Sequence, residues 1–315
     1  MFQSSFKYYK SKNPPPSFED VLVMDTKHLL LKPHLLDPSP GAAFPGLLPP
    51  NEWKVYELAM RPGLLLLSNP FTGEGQREWI MRCLHDYPLQ PNTTNILNQP
   101  SGIDWWEKLR LLPDPSTRRS HAKTLRWATL GYQYDWTNKV YDEAHRQPFP
   151  TDLATLVRYV ATQLGYARFS PEAAIVNYYP IGTTLAGHTD HSEDDQSAPL
   201  FSFSFGQPAV FLIGGVSREE QPSALLLRSG DVVVMSGPAR LCYHAVPRVF
   251  TDVELPEGME CSTERWKSDM RNERHGGGCW SELEEEYLQQ SRININVRQV
   301  LRENQRSLDR SGECN

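Results

Sequence analysis

Short hydrophobic segments, one of them alternating with a period of two, dominate the second half of the chain and predict strands. Residues 201–205 alternate phenylalanine with serine, which is the pattern of a half-buried strand. Further strands are predicted at 174–179, 209–213, 224–227, 232–235 and 292–300. Turn residues follow several of these segments, at Gly214, Gly215 and 229–231. Short strands at this spacing predict a mainly β fold with flanking helices, either a sandwich or a jelly roll.

The first half of the chain contains more proline, and its apolar spacing predicts helices around one buried strand. Residues 151–166 place leucine and valine at helical intervals and end near Gly165. Residues 64–67 are a candidate buried strand, and 75–83 are a candidate helix. We expect four regions: an extension with short helices at 1–60, an N-terminal lid region at 61–168, a β core at 169–303 with an irregular insertion at about 250–280, and a tail at 304–315.

Composition narrows the classes of protein that remain. The formal net charge is −6, so nucleic-acid binding would need a local basic patch. The five cysteines include no C-x-x-C pair, which favours a reducing compartment over a disulfide or zinc-ribbon scaffold. No apolar run approaches the roughly 18 residues that span a bilayer. Lys7, Lys10 and Lys12 permit a transit peptide, although a basic surface helix or a disordered start is the favoured interpretation.

A candidate metal site is formed by His188, Asp190 and His244. In a strand, positions two residues apart point to the same side, so His188 and Asp190 would face one point, and His244 in another strand would complete the set. Two histidines and one carboxylate leave coordination positions open, which suits non-haem Fe(II). Zinc would fit the same ligands and would then support hydrolysis. An isolated H-x-D is more often a surface pair than a ligand pair.

A candidate anion site lies in the strand predicted at 292–300. Polar residues alternate there with Ile293, Ile295 and Val297, and these polar residues are Arg292, Asn294, Asn296 and Arg298. The strand would be an ordinary surface strand if its arginines were solvated. If the arginines are buried, they need carboxylate partners, because a guanidinium group matches a carboxylate with two parallel hydrogen bonds.

Together these motifs resemble a known family. The succession of N-x-Y-x-x-G from Asn177, H-x-D from His188, the later His244, and R-x-N-x-x-x-R from Arg292 resembles the AlkB family of Fe(II)/2-oxoglutarate dioxygenases. The resemblance covers roughly residues 61–303 and is densest at 174–249. The segments SFSFGQPAVFLIGG, SGDVVVMSGPARLCYHAVPRV and LRWATLGYQYDW resemble the eukaryotic AlkB homologue 1 branch in particular.

The resemblance implies a fold, a cofactor and a reaction. The fold would be a double-stranded β-helix, or jelly-roll, core behind a nucleotide-recognition lid. His188, Asp190 and His244 would be the catalytic iron ligands, with 2-oxoglutarate and O2 as cosubstrates. The implied reaction is oxidative demethylation or hydroxylation of methylated bases in tRNA or DNA, with release of succinate, carbon dioxide and formaldehyde. The branch is linked to the nucleus and the mitochondrion, with the cytoplasm also open, and a monomer is the default expectation.

The resemblance also implies how the cosubstrate is held. Arg292 would pair with the distal carboxylate of 2-oxoglutarate, helped by Tyr179 and Asn294. Arg298 and Asn177 would lie near the carboxylate at the metal.

Two positions depart from the family pattern. Asn296 stands where the family usually has threonine, a polar exchange that we expect to be tolerated. Repair-type members tend to carry an acid where this chain has Ser192, with Glu193 next. This second departure weakens any transfer of the bacterial repair specificity.

Aromatic and basic residues before the β core are candidates for substrate contact. Trp127, Tyr132 and Tyr134 are assigned to the substrate, in a cluster with Trp136 and Tyr141. The aromatic planes would hold an extracted base, and core packing is the alternative. For the phosphates, Arg118 and Arg119 begin the basic run 118–126, and a second run lies at 265–274. Solvated surface charge is the alternative for both runs.

Three other functions remain open from the sequence. The same core could hydroxylate a protein or a small molecule. The branch has also been associated with cleavage of abasic DNA through a lysine Schiff base. The fourth hypothesis is a non-catalytic binding module, which the intact metal and anion residues disfavour.

Overall fold

Two packed antiparallel sheets form the centre of the protein, as the sequence predicts. A computed structural model describes residues 1–24, 28–37, 43–96, 104–251 and 280–308. Within these ranges the strands are β1 (Leu31–Pro33), β2 (Lys54–Leu58), β3 (Leu64–Ser68), β4 (Thr93–Thr94), β5 (Trp127–Gly131), β6 (Gln133–Asp135), β7 (Val140–Asp142), β8 (Ala173–Pro180), β9 (Leu185–His188), β10 (Leu200–Gly206), β11 (Ala209–Ile213), β12 (Ser223–Leu227), β13 (Val232–Met235), β14 (His244–Val249) and β15 (Ser291–Arg298). The large sheet has nine strands in the order β1-β2-β3-β13-β10-β15-β8-β5-β4. The small sheet has four strands in the order β12-β11-β14-β9, and β6 and β7 form a separate hairpin.

Helices cover the outer faces of both sheets. They are α1 (Phe2–Lys10), α2 (Gly73–Met81), α3 (Trp105–Leu111), α4 (Pro115–Ala122), α5 (Thr151–Gln163) and α6 (Glu282–Leu288). α2, α3 and α5 share a hydrophobic cluster with the large sheet, whereas Phe2 and Phe6 of α1 pack on Val210 and Leu212 of the small sheet. A separate cluster fills part of the space between the sheets. No helix in the described ranges combines the length and hydrophobicity that crossing a membrane requires.

The predicted elements of the β core are confirmed, and short strands elsewhere were missed. β11 and β13 have the predicted bounds, while the predicted helix 151–166 ends at Gln163, shortly before Gly165 takes a left-handed backbone with φ +86°. The extension contains the helix α1, but its β1 and β2 also join the large sheet. These strands have three and five residues, too few for a clear period-two pattern. Most of the predicted insertion, residues 252–279, lies outside the described residues.

The strand β15 is central, which excludes the interpretation of its arginines as solvated surface charge. β15 pairs with β10 on one side and β8 on the other. Its aliphatic face, with Ile293 and Ile295 each 0% exposed, belongs to the cluster under the helices. Its polar face points to the small sheet, since Arg292 Nη1 lies 3.5 Å from the carbonyl oxygen of Leu227 in β12. Arg292 and Arg298 are therefore inside the sandwich, at 2% and 4% exposure.

Candidate metal and anion site

The two predicted histidine ligands face each other across a strand pair. His188 ends β9, His244 begins β14, and the two residues are direct partners in the antiparallel register. Their ring centroids lie 4.3 Å apart. Residues opposite each other on one sheet face have closely spaced side chains, so the register itself brings the two imidazoles together.

The carboxylate ligand comes from outside the strand, which corrects one sequence prediction. β9 ends at His188, so Asp190 is not on the same strand and the period-two argument does not apply to it. The irregular segment after the strand still brings the Asp190 oxygens to 3.9 Å from His188 Nε2 and 3.6 Å from His244 Nε2. The three ligand atoms all lie within 4.8 Å of one another. The predicted triad is therefore assembled, with Asp190 placed by the irregular segment after β9 instead of by a strand.

Hydrogen bonds orient both imidazoles toward a shared ion. Nδ1 of His188 lies 2.9 Å from the carbonyl oxygen of Ala186, and Nδ1 of His244 lies 3.1 Å from that of Cys242. A carbonyl oxygen only accepts, so each Nδ1 donates and each Nε2 keeps its lone pair. Asp190 Oδ2 is buried and accepts no well-directed hydrogen bond. The available donors, two Nε2 atoms and one carboxylate, fit a divalent metal such as Fe(II).

The electrostatic surroundings favour the metal-binding protonation states. Burial, reinforced by the neighbouring His188, lowers the pKa of His244 to about 4. Burial would raise the pKa of Asp190, but the adjacent Arg298 and His244 outweigh it and hold that pKa well below its usual value. At neutral pH His244 is neutral and Asp190 is ionised, which are the forms that bind a metal.

Arg292 is a buried cation that forms no ion pair among the described residues, although the buried carboxyl of Asp231 lies near enough to favour its charged form. Its Nη2 donates to Ser204 Oγ at 2.6 Å and its Nη1 to the carbonyl oxygen of Gln207 at 3.3 Å. Its Nε has no hydrogen-bond partner. Burial lowers the pKa of Arg292 to about 10, so it remains charged at pH 7. A buried guanidinium group in this state fits an anion that would complete its hydrogen bonds.

The residues predicted to assist Arg292 lie near it but contribute differently. Tyr179 is its direct partner in the β8–β15 register, and burial raises the pKa of that phenol well above the usual value. Tyr179 is therefore a neutral hydroxyl beside the guanidinium group. Asn294 donates through Nδ2 to Ser202 Oγ at 2.9 Å and to the Phe203 carbonyl at 3.0 Å. With both amide hydrogens used, Asn294 supports strand β10 and has only its side-chain oxygen left.

Arg298 lies at the metal end of the same strand face. Its Nη2 is 3.0 Å from Asp190 Oδ2, and its Nε is 3.2 Å from Glu193 Oε1. Neither Nε nor Nη1 of Arg298 makes a well-directed hydrogen bond. A cavity of about 460 Å³ opens here, and its walls include His188, Asp190, Asn177, Arg298, Tyr134 and Trp136. Arg298 and Asn177 thus share the wall of this cavity with His188 and Asp190.

The aromatic candidates for substrate contact divide into two groups. Tyr134 and the 47%-exposed Trp136 line the cavity, 4.9 Å apart between ring centroids, and Tyr134 Oη lies 3.3 Å from Ser192 Oγ. Trp127 is half-buried, and its ring centroid lies 5.4 Å from that of Trp136. Tyr132 is only 1% exposed, donates to Glu143 at 2.7 Å and is not among the residues that line the cavity.

The predicted basic run occupies a different part of the surface. Arg118 and Arg119 lie on α4, where Arg118 pairs with Glu286 of α6 at 2.8 Å and Arg119 is exposed. Both line a small cavity of about 30 Å³ that is separate from the one at the triad. The second run, 265–274, lies outside the described residues.

Sequence reasoning missed a buried ion pair behind the triad. Arg240 Nη2 lies 2.9 Å from Glu193 Oε2, and each side chain is 2% exposed. Arg240 directly follows the short 3-10 helix Gly237–Ala239, and a single charged residue at such a place carries no periodic signal. Only the presence of an arginine beside apolar residues, in the sequence P-A-R-L-C, could have indicated burial.

Comparisons with known proteins agree with this geometry. Residues 63–298 match the 2OG-Fe(II) oxygenase superfamily. The chain is 40% identical over 282 residues to "Nucleic acid dioxygenase ALKBH1" of Homo sapiens, covering 81% of this chain and 69% of that protein. It is 35% identical over 267 residues to "tRNA demethylase abh1" of Schizosaccharomyces pombe, covering 78% and 82%. "The structure of OsALKBH1" matches with a TM-score of 0.51 at 23% identity, over 78% of this chain and 99% of that one, and supports the fold alone.

The triad predicts a selective loss of metal binding. His188→Ala should weaken Mn(II) binding by more than the 10–100-fold that loss of an outer partner typically costs, because a direct ligand is removed. Isothermal titration calorimetry on the full chain measures the Kd. His191→Ala is the matched control, since His191 lines the same cavity but is not in the triad. Equal losses in the two variants would contradict the assignment.

Because Arg292 is buried without an ion pair among the described residues, its replacement should affect ligand binding and stability differently. Arg292→Met should weaken 2-oxoglutarate binding about 10–150-fold, the equivalent of about 1.5–3 kcal/mol for a charged hydrogen bond. The unfolding temperature should change little, because loss of the hydrogen bonds to Ser204 and Gln207 is offset by removal of a buried charge that forms no ion pair among the described residues. Arg168→Met is the control, since Arg168 is 87% exposed and pairs with Glu303. Wild-type affinity in Arg292→Met would refute the anion site.

Proposed function

The chain belongs to the 2OG-Fe(II) oxygenase superfamily, and from that membership we propose that it oxidatively demethylates or hydroxylates methylated bases in tRNA or DNA. The observation that carries the oxygenase part is a two-histidine, one-carboxylate cluster in contact with Arg298, together with the buried Arg292 on the same face of β15 as Arg298. The names of the relatives support the nucleic-acid part: one is a nucleic acid dioxygenase and another is a tRNA demethylase.

The predicted metal ligands and Arg292 receive the central roles in this proposal. His188, Asp190 and His244 hold Fe(II). Arg292 binds the distal carboxylate of 2-oxoglutarate beside the neutral hydroxyl of Tyr179. With dioxygen, the iron and the cosubstrate supply the oxidation, which gives succinate, carbon dioxide and, from a methyl group, formaldehyde.

Residues near the cavity fix the orientation and protonation of the proposed ligand-binding groups in the absence of a ligand. Backbone carbonyls fix the tautomer of both histidines, so the Nε2 atoms are already directed at the ion. Arg298 keeps Asp190 ionised and has Nη1 available for the carboxylate nearer the metal. Asn177, on the same wall, offers an amide to that carboxylate. Most of the affinity for the cosubstrate then comes from groups that need no rearrangement.

The base is proposed to enter the cavity between the triad and the β6–β7 hairpin. Tyr134 and Trp136 give that wall two aromatic faces, on which an extracted base can stack. The hydroxyls of Tyr134 and Ser192 supply neutral polar contacts at its edge. Arg119, exposed on α4, is the remaining candidate of the basic patch for phosphate contact, since Arg118 pairs with Glu286. The nucleus and the mitochondrion are the compartments proposed for this activity.

The proposal predicts cosubstrate turnover that depends on nucleic acid. The protein is reconstituted anaerobically with Fe(II), and succinate formed from 2-oxoglutarate is measured with bulk tRNA, with N6-methyladenine-containing DNA and with neither. One nucleic acid is expected to stimulate turnover in the wild type, and His188→Ala is expected to abolish it.

Other outcomes would select other functions. If the protein binds iron but no nucleic acid stimulates its succinate formation, the function would instead be that of a protein or small-molecule hydroxylase. Cleavage of abasic DNA that survives His188→Ala would favour the lyase, for which Lys139 is the lysine on the cavity wall. Either result would contradict the proposal.

A further inference from the structure

A cluster of buried charges lies directly behind the metal-binding carboxylate. Glu193 lies between two guanidinium groups: its Oε2 is 2.9 Å from Arg240 Nη2, and its Oε1 is 3.2 Å from Arg298 Nε. Tyr141 also donates its hydroxyl to Oε1 at 3.1 Å. Charges are rarely buried to this extent without a specific role, because removing each from water costs several kcal/mol. The proposed iron chemistry does not itself use Glu193 or Arg240.

Arg240 connects three points of the loop that carries the metal ligand. Its Nη1 donates to the backbone carbonyl of Asp190 at 2.6 Å, and its Nε donates to the carbonyl of Ala198 at 2.9 Å. Its Nη2 donates to Glu193 at 2.9 Å. One rigid guanidinium group thereby bonds to the start, the middle and the end of the segment 190–198.

No strand pairing holds the backbone of Asp190 in place, and the other hydrogen bonds of the segment to the chain after β15 lie farther along it, at Asp194 and Asp195. β9 ends at His188 and β10 begins at Leu200, so Asp190 receives no support from a strand ladder. Several residues of the segment, including His191 and Asp194, are exposed. The hydrogen bond from Arg240 to the Asp190 carbonyl supplies the constraint that a paired strand would otherwise give.

We propose that Arg240 and Glu193 form a positioning pair, which sets the orientation of Asp190 and keeps Arg298 available to the cosubstrate. The inference rests on the metal site in the proposed function. Arg240 fixes the backbone of the ligand. Glu193 supplies a negative charge that stays with Arg298 when the charge of Asp190 is shared with a cation.

The charge balance explains why both members are needed. Asp190 and Glu193 offset Arg240 and Arg298, so the cluster is neutral before a divalent ion arrives. Without Glu193, the two guanidinium groups would leave excess positive charge beside the metal and draw the Asp190 carboxylate toward Arg298. Lysine cannot replace Arg240, because an ammonium group lacks the planar arrangement of donors that reaches three acceptors at once.

The test is metal affinity in folded protein, measured without turnover. The full chain is titrated with Mn(II) by isothermal calorimetry, and thermal unfolding of the metal-free protein is recorded for each variant. Arg240→Lys should raise the Kd for Mn(II) about 10–100-fold, the range typical of partners that orient a ligand. Glu193→Gln keeps the shape of the side chain and should also raise the Kd.

Arg248→Lys is the matched control. Arg248 lies on β14, and its guanidinium group donates to the backbone carbonyls of Tyr9 and Ser11 and lies over the ring of Phe18. Replacing it also removes a guanidinium group bound to backbone carbonyls, but on the α1 side of the small sheet. We expect its unfolding temperature to fall while its Kd for Mn(II) stays at the wild-type value.

The outcomes separate this inference from the proposed function. If folded Arg240→Lys and Glu193→Gln bind Mn(II) like the wild type while His188→Ala does not, the positioning pair is refuted and the metal site remains. If Arg240→Lys does not fold, the Kd of Glu193→Gln for Mn(II) alone tests the positioning pair, and a wild-type value refutes it. If the wild type does not bind Mn(II), the metal site and the positioning pair both fail.

Discussion

The site depends on the requirement that charges buried between two sheets be balanced. β15 carries Arg292 and Arg298 into the sandwich interior, where an uncompensated charge would be costly. At the metal end, Asp190 and Glu193 provide the compensation. At the other end Arg292 forms no ion pair among the described residues, and burial raises the pKa of the neighbouring Asp231 to about 7, so the proposed dicarboxylate would supply the balancing charge. The same physical rule therefore explains a stable carboxylate cluster and a binding site for an anion.

The two sheets position different parts of the candidate site. The small sheet fixes the two histidines, because β9 and β14 pair with His188 opposite His244. The large sheet fixes the anion end, because β15 has a strand on each side and cannot shift register without moving its whole aliphatic face out of the core. The segment after β9 connects the two sheets at the candidate metal site, where Arg240, which precedes β14, donates to the backbone carbonyl of Asp190. Precision at the metal thus depends on one buried guanidinium group as much as on strand pairing.

Much of this arrangement could be predicted from the sequence where residues repeat with a clear period. The alternation in 292–298 indicated the polar and aliphatic faces of β15, but an ordinary surface strand stayed open, and only the pairing with β10 and β8 shows that β15 is central. Asp190 was identified for a reason that does not hold, since it lies past the end of its strand. Arg240 and the inward direction of Glu193 could not be predicted, because burial of a single charge in a turn depends on contacts with residues about 50 positions away. Tyr132 shows the same limit, since nothing in the spacing distinguishes a buried tyrosine from a cavity-lining one.

The most direct test of the account is whether metal and cosubstrate bind as parts of one site. The Kd of 2-oxoglutarate is measured by calorimetry in the absence of metal and with saturating Mn(II), under anaerobic conditions. The account predicts that the metal tightens 2-oxoglutarate binding about tenfold or more, a coupling of at least about 1.4 kcal/mol. An affinity that does not change with Mn(II) would contradict it, because the triad and the arginine face would then be independent features of the fold.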